Sequence, residues 1–514
     1  MEKQSLIKGT VILGIAGITA RFLGLFFRWP LIMLIGDEGV GYYQMSYPLY
    51  MFFIAMASGI PVAISKMVSE KNALNDREGA IIVLRKSLLL MAILGGGFSF
   101  FLFLNAKPLI SFFKWDSKAV YALIGVAFAP IFISIMSAFR GFFQGMQNMN
   151  PTAVSEVIEQ LGRVIIGVGL AYLLLPMGIE YSAGGAAFGA AAGGVFGDIY
   201  LFFRYIKIRK TFKLKKFNKD YSILSRLLYI AIPISLGATV GTIMNLIDSI
   251  LVPQKLLQAG LSYRDATILY GQLTGKAFVL INVPLTLSIA LCSAIVPVIA
   301  EQHVLGKLTA VKEKIDLALK FSSVIALPSF LGLYFMSSPI LNLIFPGHSG
   351  GANLLKYLSI TIPLIVFAQS TTAILQATGK YIAPVINLSL GCLAKIIISY
   401  ALVSIPEINI YGAIIGSIVG YFFASSLNII LLKKSERIKI RVYEIFIKPL
   451  VAATIMILAV VFIYIYVYNI TKNNGIGCIA AVSIGLIIYV LLIFVLGVFK
   501  ISYVKNKLLK RGEK

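Results

Sequence analysis

The segment AFRGFFQGMQNMNPTAVSEVIEQLGR (residues 138–163) places polar side chains between two long apolar runs. It holds three glutamines, two glutamates and two arginines in a chain that is 59% hydrophobic. A later segment, ILQATGKYIAPVINLSLGCLAK (residues 374–395), has the same layout. The recurrence suggests that one structural unit occurs twice in the chain.

The spacing within the two segments is identical. Arg163 follows Gln144 at the same interval at which Lys395 follows Gln376. In each interval a proline opens a predicted helix. The two segments therefore predict an internal repeat with a constant offset, which carries position 144 to 376 and position 163 to 395.

A second pair of segments supports the repeat. SGIPVAISKMVSE (residues 58–70) aligns with CSAIVPVIAE (residues 292–301) at a similar offset. We therefore expect two lobes of six helices, each inserted in the same orientation, followed by two further helices. Parallel repeats of this kind are a known transporter plan, with the substrate site at the interface between them. The predicted divisions are an N-lobe (1–206), a basic cytoplasmic linker (207–226), a C-lobe (227–433), and helices 13 and 14 with a basic tail (434–514).

The composition predicts a membrane protein. The 514 residues have a mean hydropathy of +0.90, and only 13% are charged, against about 25% in soluble proteins. Apolar runs of the roughly 20 residues that span a bilayer as a helix recur along the chain. The first run is too long for the apolar region of a cleaved signal peptide. The predicted fold class is all-α, a polytopic membrane protein with fourteen transmembrane helices.

The net charge of +25 has a topological explanation. If the N-terminus is cytoplasmic, most of the 46 Lys and Arg residues lie in the termini and cytoplasmic loops, which is the positive-inside pattern. We therefore expect a multi-pass protein of the cell membrane with both termini cytoplasmic. The most basic loop (204–226) is expected beside anionic lipid headgroups, and no nucleic-acid partner is predicted.

Cations inside the predicted helices are candidates for substrate binding. An Arg or Lys at the bilayer centre costs roughly 2.5–3.5 kcal/mol, so such a residue should face a wet cavity, pair with an acid, or reach the interface. These cations outnumber the intramembrane acids, which predicts an anionic substrate. The six are Arg21, Arg28, Arg163, Lys276, Lys356 and Lys395.

The candidates differ in the alternatives that compete with a substrate contact. Arg21 and Arg28 lie two helical turns apart, on one face of helix 1, and are expected to line the cavity or to form a structural ion pair. Arg163 follows Glu159 at the spacing of one helical turn, so an intrahelical salt bridge competes. Lys395 has no acid at that spacing and is the clearer candidate, whereas Lys276 could instead snorkel to the outer interface.

Asp248, near the outer end of helix 7, is predicted either to bind a coupling cation or to balance a lysine.

The only histidines, His303 and His348, lie at helix ends or in loops, so no metal site is predicted. The segment GQLTGKA (271–277) is one residue too short for a P-loop, so ATP use is not expected. With no large extramembrane segment, the chain is predicted to be a transporter without catalytic residues or a cofactor.

Two of these segments carry a family resemblance. FRGFFQGMQNMNPTAVSEVIEQLGR (139–163) and ARFLGLFFRW (20–29) resemble the polysaccharide-transporter branch of the multidrug/oligosaccharidyl-lipid/polysaccharide (MOP) exporter superfamily. The match is with its stage V sporulation protein B-like members, which are related to MurJ-type lipid II flippases. The resemblance implies a lipid-linked oligosaccharide flippase that moves a lipid II-like peptidoglycan precursor by alternating access, for cell-wall or spore-cortex synthesis.

The resemblance also implies residue roles. It places Arg21 and Arg28 in a cationic cavity, and helices 13 and 14 beside the lipid tail. Asp248 and Asn387 are similar to a sodium site of some relatives, although Gly391 stands where a second acid is expected. Sodium coupling, proton coupling and the membrane potential alone all remain open as driving forces. The expected partners are the anionic lipid-linked substrate, membrane lipids and cell-wall synthesis proteins.

Two other functions remain open at this point. One is a multidrug or cation antiporter of the same superfamily, which would need a counter-ion acid and a cavity suited to cations. The other is a non-transporting membrane scaffold for spore-envelope synthesis, which would tolerate loss of every intramembrane charge.

Overall fold

The computed structural model describes residues 6–209, 222–436, 438 and 441–499, and the side chains in these ranges except those of 6–11, 21, 25, 222, 237, 240 and 293. Every regular element in the described ranges is helical. The predicted all-α membrane class is therefore confirmed. The basic linker falls largely on 210–221, outside the described residues.

The described residues form two compact units, one ending at Gly271 and the other beginning at Gln272. The first unit contains α1 (Leu6–Ala57), α2 (Gly59–Ala73), α3 (Arg77–Leu104), α4 (Ala106–Phe112), α5 (Val120–Ala127), α6 (Ala129–Gly145), α7 (Asn150–Leu174), α8 (Ile179–Arg209), α9 (Ser222–Gln258) and α10 (Tyr263–Gly271). The second contains α11 (Phe278–Val304), α12 (Leu308–Phe335), α13 (Ser337–Ile344), α14 (Ala352–Leu358), α15 (Thr361–Ala377), α16 (Ile382–Leu402), α17 (Tyr411–Glu436), α18 (Lys448–Thr471) and α19 (Asn474–Val495). The predicted lobes are defined by the internal repeat, whereas these two units are defined by compactness. The predicted lobe boundaries therefore stay a prediction.

The element α1 is a hairpin of two helices. Phe27 and Tyr43 would lie about 24 Å apart along a continuous helix. Their ring centroids are only 6.0 Å apart. The chain reverses at Gly36, whose φ of 61° and ψ of −167° are not helical and suit a residue without Cβ.

Eleven helical stretches in the described part of the chain are long and apolar enough to cross a membrane, or up to thirteen if two bent helix pairs each count as one span. The first stretch contains the α1 hairpin and so supplies two crossings. The predicted total of fourteen depends on how the bent pairs are counted, and it stays a prediction.

Polar contacts tie the segments at each end of the first unit. On the predicted outer side, Glu38 accepts hydrogen bonds from the Tyr42 hydroxyl at 3.0 Å and from Arg264 Nε at 2.9 Å. The Tyr42 hydroxyl is also 3.2 Å from Asp116 Oδ2. On the predicted inner side, Arg226 pairs with Glu70 at 2.7 Å. The two ends of this unit are thus each joined by at least one ionic contact.

The predicted repeat is visible in the helix boundaries. Helix α6 ends at Gly145 and α7 begins at Asn150, whereas α15 ends at Ala377 and α16 begins at Ile382. Both boundaries recur at the offset that the sequence predicts. Helices α3 and α12 are equally long and follow almost the same offset. The boundaries of the hairpins α6–α7 and α15–α16 therefore agree with the predicted repeat.

Glycines bring a third helix close to each hairpin. A Cβ at Gly193 of α8 would lie 2.4 Å from the backbone oxygen of Glu159, and one at Gly189 would lie 2.8 Å from that of Arg163. In the second unit, Gly420 and Gly416 of α17 approach α16 in the same way. Small residues allow such close backbone approach in membrane helices.

The contacts of α8 and α17 thus repeat with their own offset. Gly193 corresponds to Gly420, and Gly189 corresponds to Gly416. We call this offset the third-helix offset. It is slightly shorter than the offset that relates the hairpins α6–α7 and α15–α16, which we call the hairpin offset.

Candidate functional site

Two arginines share one carboxylate inside the α6–α7 hairpin. Glu159 accepts hydrogen bonds from Arg140 Nη2 at 3.1 Å and from Arg163 Nη2 at 3.2 Å. The side chains of Arg140, Glu159 and Arg163 are only 16%, 10% and 12% exposed. The intrahelical salt bridge that competed with a substrate contact at Arg163 is present, and Glu159 also pairs with Arg140. The trio therefore carries one net positive charge.

A ladder of three tyrosines lies beside this trio. The rings of Tyr43 and Tyr47 stack with centroids 5.4 Å apart, and those of Tyr47 and Tyr50 are 5.6 Å apart. Arg163 Nη2 lies 3.4 Å from the Tyr50 hydroxyl oxygen. Tyr43 interacts electrostatically with both Arg163 and Arg28. Tyr43 is thus within electrostatic range of two arginines that the sequence predicts separately.

The tyrosines are functional candidates that sequence reasoning missed. Their spacing of four and then three positions places them on one helix face. This spacing is the feature of the sequence that could have indicated a shared site. Tyr43 and Tyr50 are buried, whereas Tyr47 between them is half-buried. The side chain of Arg21 lies outside the described residues, so its cavity role stays a prediction.

Lys395 is the counterpart of Arg163 in the second unit, at the hairpin offset. Lys395 is 4% exposed. It lies where α16 meets α17, since a Cβ at Gly420 would lie 2.9 Å from the Cβ of Lys395. Its proposed contact with substrate stays a prediction.

Lys276 is almost fully buried within the second unit, and whether its amine reaches the outer interface stays a prediction. It lies in a π-helical segment, Gln272–Ala277, and is 1% exposed. Its ammonium group donates to the backbone oxygens of His348 and Gly350 and lies 5.9 Å from the centroid of the Phe345 ring. The loop beyond α13 covers the amine, which the sequence spacing did not predict. This coordination is structural in character, and a substrate contact by Lys276 stays a prediction.

The two residues predicted for cation coupling lie in different settings. Asn387 Nδ2 donates to Asn428 Oδ1 at 2.9 Å, and Asn428 Nδ2 donates to Thr372 Oγ1 at 3.0 Å. Asp248 is half-buried on α9 and interacts electrostatically with Tyr270 of α10. Among the described residues, no group of three or more His, Cys, Asp or Glu could hold a metal ion. Cation coupling at Asp248 and Asn387 stays a prediction.

Equivalent positions of the two hairpins use different polar chemistry. In the first unit, Arg140 Nε donates to Ser155 Oγ at 2.8 Å and bridges α6 to α7. The positions equivalent to Arg140 and Ser155 are Thr372 and Asn387, which are bridged through the amide of Asn428. The second hairpin therefore uses neutral groups where the first uses an arginine. The second hairpin also lacks an acid at the position equivalent to Glu159, which is Gly391.

Comparison with known proteins places the chain among membrane transporters. Residues 6–303 match the family model described as polysaccharide biosynthesis protein. The chain is 32% identical over 450 residues to stage V sporulation protein B of Bacillus subtilis (strain 168), covering 86% of each sequence. It is 27% identical over 456 residues to lipid II flippase MurJ of the same organism, covering 84% of this chain and 83% of the relative.

Solved structures show the same fold. An inward-facing multidrug resistance MATE family transporter of the MOP superfamily superposes with a TM-score of 0.69 at 17% identity, covering 84% of this chain and 98% of that one. Lipid II flippase MurJ in an inward closed conformation gives a TM-score of 0.67 at 17% identity, covering 94% and 98%. At this level of identity the structures establish the fold alone, and the resemblance stated from the sequence is confirmed.

Proposed function

We propose, from the premise that this chain belongs to the polysaccharide biosynthesis protein family of the MOP superfamily, that it is a flippase for a lipid-linked oligosaccharide. It is a transporter rather than an enzyme, as the names of its relatives indicate. The supporting observation is the trio of Arg140, Glu159 and Arg163, whose net positive charge contacts the tyrosine ladder at Tyr50. Tyr43 of the same ladder also interacts electrostatically with Arg28.

The proposed substrate is a lipid-linked peptidoglycan precursor resembling lipid II. One relative is a lipid II flippase and another is a sporulation protein, so the precursor would serve cell-wall or spore-cortex synthesis. Such a lipid carries a pyrophosphate between sugar and prenyl chain. Guanidinium groups replace water around phosphates through paired N–H donors, and tyrosine rings and hydroxyls suit the adjoining sugar.

Transport would proceed by alternating access while the prenyl tail stays in lipid. Both termini are proposed to be cytoplasmic, so that export moves the substrate towards the outer leaflet. With a negative cell interior, outward movement of each negative charge is favoured by about 2.3 kcal/mol per 100 mV. A substrate with about two charges would gain about 4–5 kcal/mol at that potential, which is enough to drive export without ATP.

The test is a flipping assay in proteoliposomes that contain a fluorescent lipid II analogue. A membrane-impermeant quencher reports the fraction of label in the outer leaflet. We expect the purified protein to equilibrate the label and protein-free vesicles not to do so. A fluorescent phospholipid without pyrophosphate serves as the substrate control. Equal rates for both lipids, or no rate above protein-free vesicles, would contradict the proposed function, and extrusion of cationic drugs instead would favour the antiporter.

A further inference from the structure

Asp198 of α8 carries a carboxyl group in an unusual setting. Both of its oxygens are buried, and neither has a hydrogen-bond partner among the described residues. A carboxylate buried without donors costs several kcal/mol relative to water. A buried carboxyl group avoids that cost by holding a proton, since the neutral acid is far cheaper to bury.

The charged groups around Asp198 come from the neighbouring helices. It interacts electrostatically with Arg140 of α6 and Glu159 of α7. Helix α7 also carries Glu156 and Arg163. Among the described side chains of α1, the charged one at membrane depth is Arg28. Helix α5 (Val120–Ala127) has no charged residue. Glu159 already binds Arg140, so an ionised Asp198 would add a second carboxylate beside it. Two like charges that interact in a buried site disfavour double ionisation.

The second repeat provides an internal comparison. At the third-helix offset, the counterpart of Asp198 is Ser425. Its hydroxyl donates to the backbone oxygen of Phe422 at 3.1 Å. At the hairpin offset, the counterparts of Arg140 and Glu159 are Thr372 and Gly391. The same three-helix arrangement therefore forms without a titratable group at any of these three positions, so packing alone does not require an acid at position 198.

We propose that Asp198 is a proton-binding site whose occupancy sets the net charge of the cluster formed by Arg140, Glu159 and Arg163. A proton taken from hydronium bonds to one Asp198 oxygen and leaves water behind. The four groups then carry one net positive charge, and they become neutral when the proton leaves. An anion beside Arg163 and Arg28 is therefore bound more tightly by the protonated state. By linkage, a bound anion in turn favours retention of the proton.

The protonated carboxyl group can be observed directly by infrared spectroscopy of the full-length protein in lipid bilayers. We expect a carboxylic-acid C=O band at pH 7, where an exposed aspartate is ionised. The band should shift when aspartate is labelled with ¹³C at the side-chain carboxyl, and it should disappear in Asp198→Asn. Asp76→Asn is the matched control, since Asp76 lies outside the membrane spans and bonds Lys71, and it should leave the band unchanged.

If Asp198→Asn fails to accumulate, Asp198→Ser introduces the residue found at the equivalent position of the second repeat. A wild-type spectrum without an aspartic-acid band at pH 7 would overturn the proposal. A band that persists unchanged in both Asp198 variants would do so equally.

Linkage to anions is tested with farnesyl pyrophosphate as the probe, titrated at pH 6 and pH 8. This arm rests on the proposed function, since it assumes a pyrophosphate ligand. Between pH 6 and pH 8 we expect the affinity of the wild-type protein for the probe to fall. This fall should be roughly tenfold larger than the fall measured for Asp198→Asn, which corresponds to a shift of one unit in the pKa of the linked group. The ionisation of the probe is common to both proteins and cancels in the comparison.

The two proposals fail in different ways. Identical pH dependence in wild type and Asp198→Asn would refute the linkage even if the flipping assay succeeds. An aspartic-acid band with no flipping of the lipid II analogue would refute the proposed function and leave the proton site standing.

Discussion

Replacement of Glu159 by glutamine is the sharpest perturbation of the charged trio. Glu159→Gln keeps the size of the side chain and removes the charge that Arg140 and Arg163 share at 3.1 and 3.2 Å. The two guanidinium groups then face each other with no carboxylate between them. The local net charge rises from one to two.

The magnitude follows from burial. All three side chains are at most 16% exposed, and removal of one partner from a buried ion pair costs about 3–5 kcal/mol. Arg140 retains Ser155 as an acceptor and Arg163 retains Tyr50, which limits the loss. We therefore expect a loss of about 3 kcal/mol, at the lower end of that range.

Unfolding of the purified protein in detergent measures this loss, with wild type, Glu159→Gln, Arg140→Thr and the double variant in one cycle. Arg140→Thr introduces the residue of the second repeat. The double variant should recover part of the lost stability, because it removes one of the two unpaired cations. A Glu159→Gln protein that differs from wild type by no more than about 0.5 kcal/mol, the range of an ordinary surface substitution, would refute the reasoning.

Four further predictions concern other parts of the chain. Gly193→Ala should abolish accumulation of folded protein on expression, because its Cβ would lie 2.4 Å from a backbone oxygen of α7, whereas Gly169→Ala on α7 has nothing within 4 Å and should be tolerated. Lys276→Met should lower stability by about 1–3 kcal/mol, since two loop carbonyls lose their donor, and thermal unfolding would show it. Tyr50→Phe removes one acceptor of Arg163 and should slow flipping by between about twofold and about tenfold, whereas an unchanged rate would exclude the hydroxyl from the mechanism. The backbone N–H of Gly79, and then Lys71, hold the pKa of Asp76 below its ordinary value. Its cap of α3, worth about 1 kcal/mol, is therefore complete above the ordinary pKa and lost as pH falls through the folded-state pKa. The stability difference between wild type and Asp76→Ala, followed by acid titration of unfolding, should shrink in that range and not at neutral pH.

The sequence predicted features that depend on local spacing. The Glu159–Arg163 contact follows from their separation by one turn of one helix. The hairpin offset recovers both ends of the α6–α7 and α15–α16 turns, because the same helix–turn–helix pattern is written twice in the chain.

Features that depend on tertiary packing were missed. Arg140 and Glu159 lie on different helices, so no spacing rule reveals that they pair. Lys276 is near an apparent helix end, but the π-helical register and the loop at His348 bury its amine.

The counterpart of Asp198 in the second unit also depends on tertiary packing. The chain from Arg163 to Gly189 is longer than the equivalent chain from Lys395 to Gly416. The third helix therefore meets the hairpin in a different sequence register in each unit. An alignment at the hairpin offset alone does not bring Ser425 opposite Asp198.

The central claim is that Arg163 and Arg28, which both interact with the tyrosine ladder, carry a phosphorylated lipid. It is tested most directly by flipping of the fluorescent lipid II analogue by Arg28→Gln and Arg163→Gln proteins, each reconstituted at the same protein-to-lipid ratio as wild type. Lys307→Gln, a change at an exposed lysine outside the cluster, is the matched control. We expect both arginine variants to lose at least about tenfold in rate, or about 1.4 kcal/mol of barrier, while the control keeps the wild-type rate. Wild-type flipping by both arginine variants would contradict the account.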